Sequence, residues 1–177
     1  MDGEPHQMTL SDEDRRLVGL WAAECAARVL PLFEAQAPSD TRPREAIEGI
    51  RAFARGGKRT AKLRALAWAA YAAARDVDNP AATAAARAAG LAAATAYLHA
   101  LATLEQAKHI LGPAVYAARA RELAAGDAPG AGDEELRWAV EHASPGVREV
   151  LRRMPARGAG RGRLDVLYHQ LDAALRR

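Results

Sequence analysis

Apolar residues recur at spacings of three and four along most of the chain, the pattern of helices that each bury one face. After a polar start, Ser11-Asp-Glu-Asp14 predicts a helix N-terminus, with a serine to cap it and acidic residues where the helix dipole favours them. Leu17, Leu20, Trp21, Cys25, Val29, Leu32 and Phe33 continue one stripe, and Pro31 is expected to kink this helix without ending it. Residues 37–41 read as a turn. Pro43 suits the first position of a second helix carrying Ile47, Ile50, Phe53 and Ala54, which Gly56-Gly57 closes. A third helix is expected over about 60–75 and a fourth, very rich in alanine, over about 80–98 behind the cap Asp78-Asn79-Pro80. A fifth begins near His99 or Leu101 and passes Leu104, Leu111 and Val115, with Gly112-Pro113 expected to kink or split it.

Three shorter helices are predicted over 133–142, 145–154 and 163–176. No run alternates β-branched and polar residues as a strand would. The pattern therefore predicts an all-α fold, a single-domain antiparallel or orthogonal bundle of about six to eight helices. Residues 1–10 are expected to be disordered, 11–125 to form the core bundle, and 126–132 to act as a linker. Residues 133–177 then add C-terminal helices to the same domain around a mobile basic linker at 155–163.

Composition narrows the class. The 177 residues suffice for one domain with its own core, and a single cysteine excludes an internal disulfide framework. Residues 1–50 hold 5 basic and 10 acidic groups, and the remainder 20 and 12, so a net charge of +3 hides an acidic front and a basic remainder. Arginines 152, 153, 157, 161 and 163 could contact phosphates, but no aromatic residues interleave with them for base stacking, so nucleic acid is not an expected partner. The uncharged stretch Ala88–Leu104 is 17 residues of mostly alanine, too short and too weakly apolar for a membrane span. Met1–Gln7 lacks the cationic and apolar pattern of a signal peptide. A cytoplasmic protein is expected.

No strong catalytic signature appears. Arg55-Gly-Gly-Lys-Arg-Thr60 has Ala52 where a phosphate loop needs its first glycine and Arg59 where it needs Ser or Thr, so it reads as a helix connection. His99 and His109 are too far apart on one helix to share a metal, and neither a metal nor a cofactor is expected. Glu105 and His109 stand at i,i+4, a carboxylate–imidazole pair. Binding candidates are Asp40, Arg42, Arg51 and His109. Should the chain be an enzyme on a small molecule, His99 at a helix junction would act as acid or base with Glu24, Asp40 or Glu48 around an inter-helix pocket. Glu24, beside Cys25 at the edge of the apolar stripe, would then have a raised pKa. Cys25 itself reads as a buried, inert thiol.

Residues 20–34, Asp40-Thr-Arg-Pro-Arg-Glu-Ala-Ile47, Ala96-Tyr-Leu-His99 and Lys108-His-Ile-Leu-Gly112 together resemble the bacterial putative immunity protein family, in its all-helical, alanine-rich actinobacterial type. The run from Ala143 to Arg153 is similar to long members. An exonuclease label that some relatives carry does not suit this chain, which has neither a phosphate loop nor long coiled coils. The resemblance implies a noncatalytic protein that binds and blocks a toxin, and it brings no catalytic residues. On that expectation the acidic first third offers a docking face, partly apolar with an acidic rim, to a basic toxin. A homodimer is also compatible with the pattern.

Overall fold

The computed structural model describes residues 6–177. Helix α1 (Asp12–Ala27) starts where the capping pattern places it: the Asp14 amide donates to Ser11 Oγ and the Ser11 amide to Asp14 Oδ2, both at 3.0 Å. It ends early. Pro31 has no N–H for the Ala27 carbonyl and its ring crowds that turn, so the chain breaks at Arg28–Val29 and restarts as α2 (Leu30–Glu34). The expected kink is therefore a break. Helices α3 (Arg42–Ala54) and α4 (Ala61–Arg75) are joined through Gly56, whose φ of 106° suits a residue without a Cβ.

Helix α5 (Pro80–Ala94) is the axis of the molecule. Asn79 Oδ1 caps it by accepting from the Ala82 amide at 2.9 Å, and ten of its residues are buried. Helices α1, α2, α3, α4 and α6 (Leu104–Ala124) all pack on it. Alanine permits this because small side chains let five neighbours approach one rod. Larger groups of α2 and α3, namely Phe33, Ile47 and Ile50, fill the remaining space at 0–1% exposure, each contributing about 1.5–3 kcal/mol by burial.

A second apolar cluster lies on the other side of α1 and α6. It joins Val18, Trp21 and Cys25 to Ile110, Leu111 and Val115. Helices α7 (Pro129–Glu141), α8 (Pro145–Arg152) and α9 (Arg163–Arg176) close it with Leu136, Val150, Leu151, Leu167, Leu171 and Leu175. Trp21 Nε1 donates to the Ala139 carbonyl at 2.9 Å, so the indole is buried with its polar atom paired. All-helical architecture is thus as the periodicity predicts, with nine helices among the described residues.

Four details depart from the pattern. Helix α6 runs unbroken through Pro113, because Gly112 has no Cβ to clash with the proline ring and the turn is buried on all sides. That helix starts at Leu104 rather than near His99, since Thr103 Oγ1 accepts from the Gln106 amide and caps it there. The preceding Leu101–Ala102 instead pairs with His6–Gln7 as a short antiparallel ribbon, β1 (His6–Gln7) and β2 (Leu101–Ala102). The Met8 amide donates to the Ala100 carbonyl and Leu10 is buried, so residues 6–10 are placed by packing, while 1–5 of the expected disordered terminus lie outside the described residues. Finally, α7 begins at Pro129, inside the expected linker 126–132, after a turn with positive φ at Gly126 and Asp127.

The segment 155–163 is irregular, yet its first half is tied down. Arg176 donates to the Met154 and Pro155 carbonyls, the Arg157 amide donates to Asp172 Oδ2 at 3.0 Å, and the Arg157 guanidinium lies 4.8 Å from the Tyr168 ring centre. Glycine makes this stretch irregular, but arginine contacts hold it against α9.

Candidate functional site

Three of the four tyrosines meet in one groove. On α6, Glu105, His109, Gly112 and Tyr116 fall at i, i+4, i+7 and i+11, a single stripe that faces outward between α4, α5 and α9. Tyr71 of α4, Arg87 and Leu91 of α5 and Tyr168 of α9 complete a cleft of about 290 Å³ with Glu105, Lys108, His109 and Tyr116. A second depression shares Lys108, Tyr116 and Tyr168 and continues along α6 to Arg119 and the start of α9.

Two glycines make the groove possible. A Cβ on Gly90 would come within 2.7 Å of the Tyr71 ring, and one on Gly112 would lie 3.3 Å from the Tyr168 hydroxyl and 3.0 Å from Leu91. The rings therefore lie directly against bare helix backbone, as no larger residue would allow. At the rim Trp68 is 65% exposed and meets Tyr71 edge-on, with ring centres 5.8 Å apart and planes at 67°. Leu104, one turn before Lys108, is 50% exposed.

The polar groups of the groove have few partners of their own. Glu105 and His109 face each other at 3.5 Å, as their spacing predicts. The Arg87 guanidinium sits 5.9 Å from the Tyr116 ring centre. Among the described residues, neither Arg87 nor Lys108 has an ion-pair partner, and none of the three tyrosine hydroxyls has a hydrogen-bond partner. Burial pushes the Tyr71 phenol up to about 12 and raises Tyr168 as well, with the neighbouring Tyr116 adding to both. Both stay protonated near neutral pH and so present donors.

The other sequence candidates are dispersed. His99 is exposed beside a basic cleft lined by Arg15, Arg59, Arg64 and Tyr97, and its backbone amide donates to Gln106 Oε1 at 2.8 Å. None of Glu24, Asp40 or Glu48 lines that cleft. Glu24 is half-buried on α1. Glu48 accepts from Arg51 at 2.7 Å on α3, beside a groove of about 490 Å³ lined by Glu45, Lys58, Lys62 and Leu66. Asp40 and Arg42 do come together: Arg42 donates to both Asp40 oxygens at 2.9 and 2.7 Å and to Asp76 at 2.9 Å, tying the start of α3 to the end of α4. The Arg42 guanidinium holds the Asp40 carboxyl below its usual range. Cys25 is buried, and desolvation pushes its thiol well up. No three His, Cys, Asp or Glu among the described residues cluster as metal ligands, and no helix there is long and apolar enough to cross a membrane.

The acidic front is also largely used up within the molecule. Asp12 pairs with Arg15, Asp14 with Arg153, Glu34 with Arg44, Asp40 with Arg42 and Glu48 with Arg51. The groove, by contrast, carries Arg87 and Lys108 against a single lining carboxylate, Glu105.

Of the groove, sequence reasoning singled out only the Glu105–His109 pair. The stripe on α6 was visible as periodicity, but Tyr71 and Tyr168 enter from helices 45 and 52 residues away from Tyr116, and no local pattern announces that meeting.

What fold and site define together is an all-helical, alanine-packed scaffold carrying one aromatic face. The family model described as Imm-5 like putative immunity protein matches residues 8–145, and the chain belongs to that family. The match covers α1 to α7 and reaches the first residue of α8, so Tyr168 and the run Gly146–Arg153 lie beyond it. No curated protein and no solved structure matches the chain.

Proposed function

We propose that this protein is the immunity partner of a toxic protein, which it binds and blocks without catalysis, and that the toxin docks on the face formed by Trp68, Tyr71, Tyr116 and Tyr168. The observation that carries the reading is Trp68. It is 65% exposed and meets Tyr71 edge-on, and Tyr71 in turn lines the groove with Tyr116, Tyr168 and Arg87, the residue mixture from which interface hot spots are built. Such residues bring large, stiff contact area at small entropic cost, and a monomer gains nothing by leaving them in water. Family membership supports the immunity role. His109 is kept as a binding residue on this face, next to the unpaired Lys108.

The test is neutralisation. The products of the neighbouring genes are each induced in a bacterial host with and without this chain, and the one that kills is then co-purified with it. Restored growth together with a stable complex is the expected outcome. Equal killing in both cultures, with no complex at low salt, would overturn the reading.

A further inference from the structure

We infer that the groove along α6 receives an acidic segment of the partner protein, whose carboxylates are held by Arg87 and Lys108 between the tyrosine rings. This rests on the immunity reading for the partner's identity, but the chemistry comes from the groove alone. Arg15, Arg42, Arg44 and Arg51 are matched to carboxylates of their own, whereas Arg87 and Lys108 face the groove with no ion-pair partner. The lining carboxylates have neighbours within the chain: Glu105 faces His109 at 3.5 Å, an ion pair when the imidazole is protonated, and Asp165 pairs with Arg157 at 3.7 Å. An incoming basic segment would therefore meet two uncompensated cations, and an apolar one would strip water from both without replacing it.

A carboxylate satisfies the site on every count. It pairs with either cation as a charge-assisted hydrogen-bond acceptor, and it also accepts from the phenols of Tyr71 and Tyr168, whose burial keeps their protons in place. Length favours a chain segment over a lone anion. Two depressions of about 290 and 480 Å³ share Lys108, Tyr116 and Tyr168, forming a trough that runs from Arg87 past Tyr116 to Gly162. Tyrosine rings and charged groups line both depressions, so the occupant is expected to carry aromatic or aliphatic side chains among its acids.

The experiment uses the full chain with its tyrosine rings labelled with carbon-13, titrated with the acetylated, amidated peptide Asp-Glu-Phe-Asp-Glu-Phe. Its Asn-Gln and Lys-Lys counterparts and inorganic phosphate serve as comparison probes. Saturable shifts at Tyr71, Tyr116 and Tyr168 but not at Tyr97 are expected with the acidic peptide only. Reversing both charges in Arg87→Glu/Lys108→Glu should weaken binding about tenfold or more. Both residues are exposed, so the fold should survive, and a circular dichroism melt checks it. Absence of saturable shifts up to millimolar acidic peptide, or equal shifts with the amide or lysine peptide or with phosphate alone, would overturn the inference. The two readings fail separately: a neutralised toxin with no acidic-peptide binding removes only the acidic segment, and acidic-peptide binding with no neutralised toxin removes only the immunity role.

Discussion

Trp68→Ala separates a binding surface from a structural one. The indole is 65% exposed in the free chain, and a tryptophan offers on the order of 200 Å² in all, so roughly 130 Å² remains for a partner to cover. At about 25 cal/mol per Å² that area is worth about 3 kcal/mol on complex formation, near a hundredfold in affinity. Within the chain, the same residue has one aromatic contact, the edge-on meeting with Tyr71 at 5.8 Å, worth about 1 kcal/mol. The covered third of the ring, roughly 70 Å², adds about 1.7 kcal/mol at the same rate, and alanine's better helix propensity returns about 0.5 kcal/mol. The melting temperature should therefore fall by about 4–8 °C, while dissociation from the toxin quickens by about two orders of magnitude. Calorimetric melting of the free variant and surface-plasmon binding to the toxin measure the two effects on one preparation. An unchanged affinity would show that the aromatic face is idle. A melting temperature lower by ten degrees or more would show that Trp68 serves the fold and that its exposure has been misread.

Two further perturbations test the scaffold. Glu122 is 1% exposed and receives Arg119 at 2.9 Å and Arg163 at 3.1 Å, while Gly132 packs so close that a Cβ there would sit 2.6 Å from the Glu122 carboxyl carbon. Glu122→Gln keeps the shape but strands two guanidinium groups, which are part-exposed and can rehydrate; it should cost about 2–3 kcal/mol, below the usual range for a fully buried pair, and urea unfolding that matches wild type would refute this. The Asp40 carboxyl has its pKa depressed below 3.8 by Arg42, so the pair stabilises the fold above the unfolded value and loses that contribution as pH falls through the folded one. Melting temperatures of wild type and Asp40→Asn should differ by a steady gap from pH 7 down to about pH 4 and converge only below it, as pH falls through the folded value; a gap undiminished at about pH 2 would refute the assignment.

Helix positions were legible because each depends on neighbours in sequence: Ser11 and Asp14 cap α1 within one turn, and Asn79 with Pro80 opens α5. The failures are cases where tertiary contacts decide. Pro113 looks like a breaker, yet Gly112 and complete burial carry the helix past it, while Pro31, without a glycine before it, breaks its own. Residues 99–103 look helical until the N-terminal strand and the Thr103 cap claim them. Gly132 reads as linker flexibility but is the space that Glu122 occupies. The candidate site was legible only where one helix carries it, in the Glu105–His109 pair; Trp68 in particular gives no signal, since an apolar residue on a helix is read as core.

Charge shows most clearly why the site escaped the sequence. Counted along the chain, the front is acidic and the tail basic, which points to a basic partner at the front. Folding pairs the two ends instead. Arg153 of the tail meets Asp14 of α1, Arg163 meets Glu122 at the end of α6, and Arg176 meets Asp172 within α9. What faces outward is the residue of that pairing rather than its sum, and among the cations it leaves without a carboxylate, Arg87 and Lys108 are the two that line the aromatic groove. Long-range association responds to surface charge after such internal cancellation. A partner chosen by the sequence count would be basic and would meet carboxylates already occupied by arginine. One chosen by the folded surface is acidic and meets cations lying open between aromatic rings.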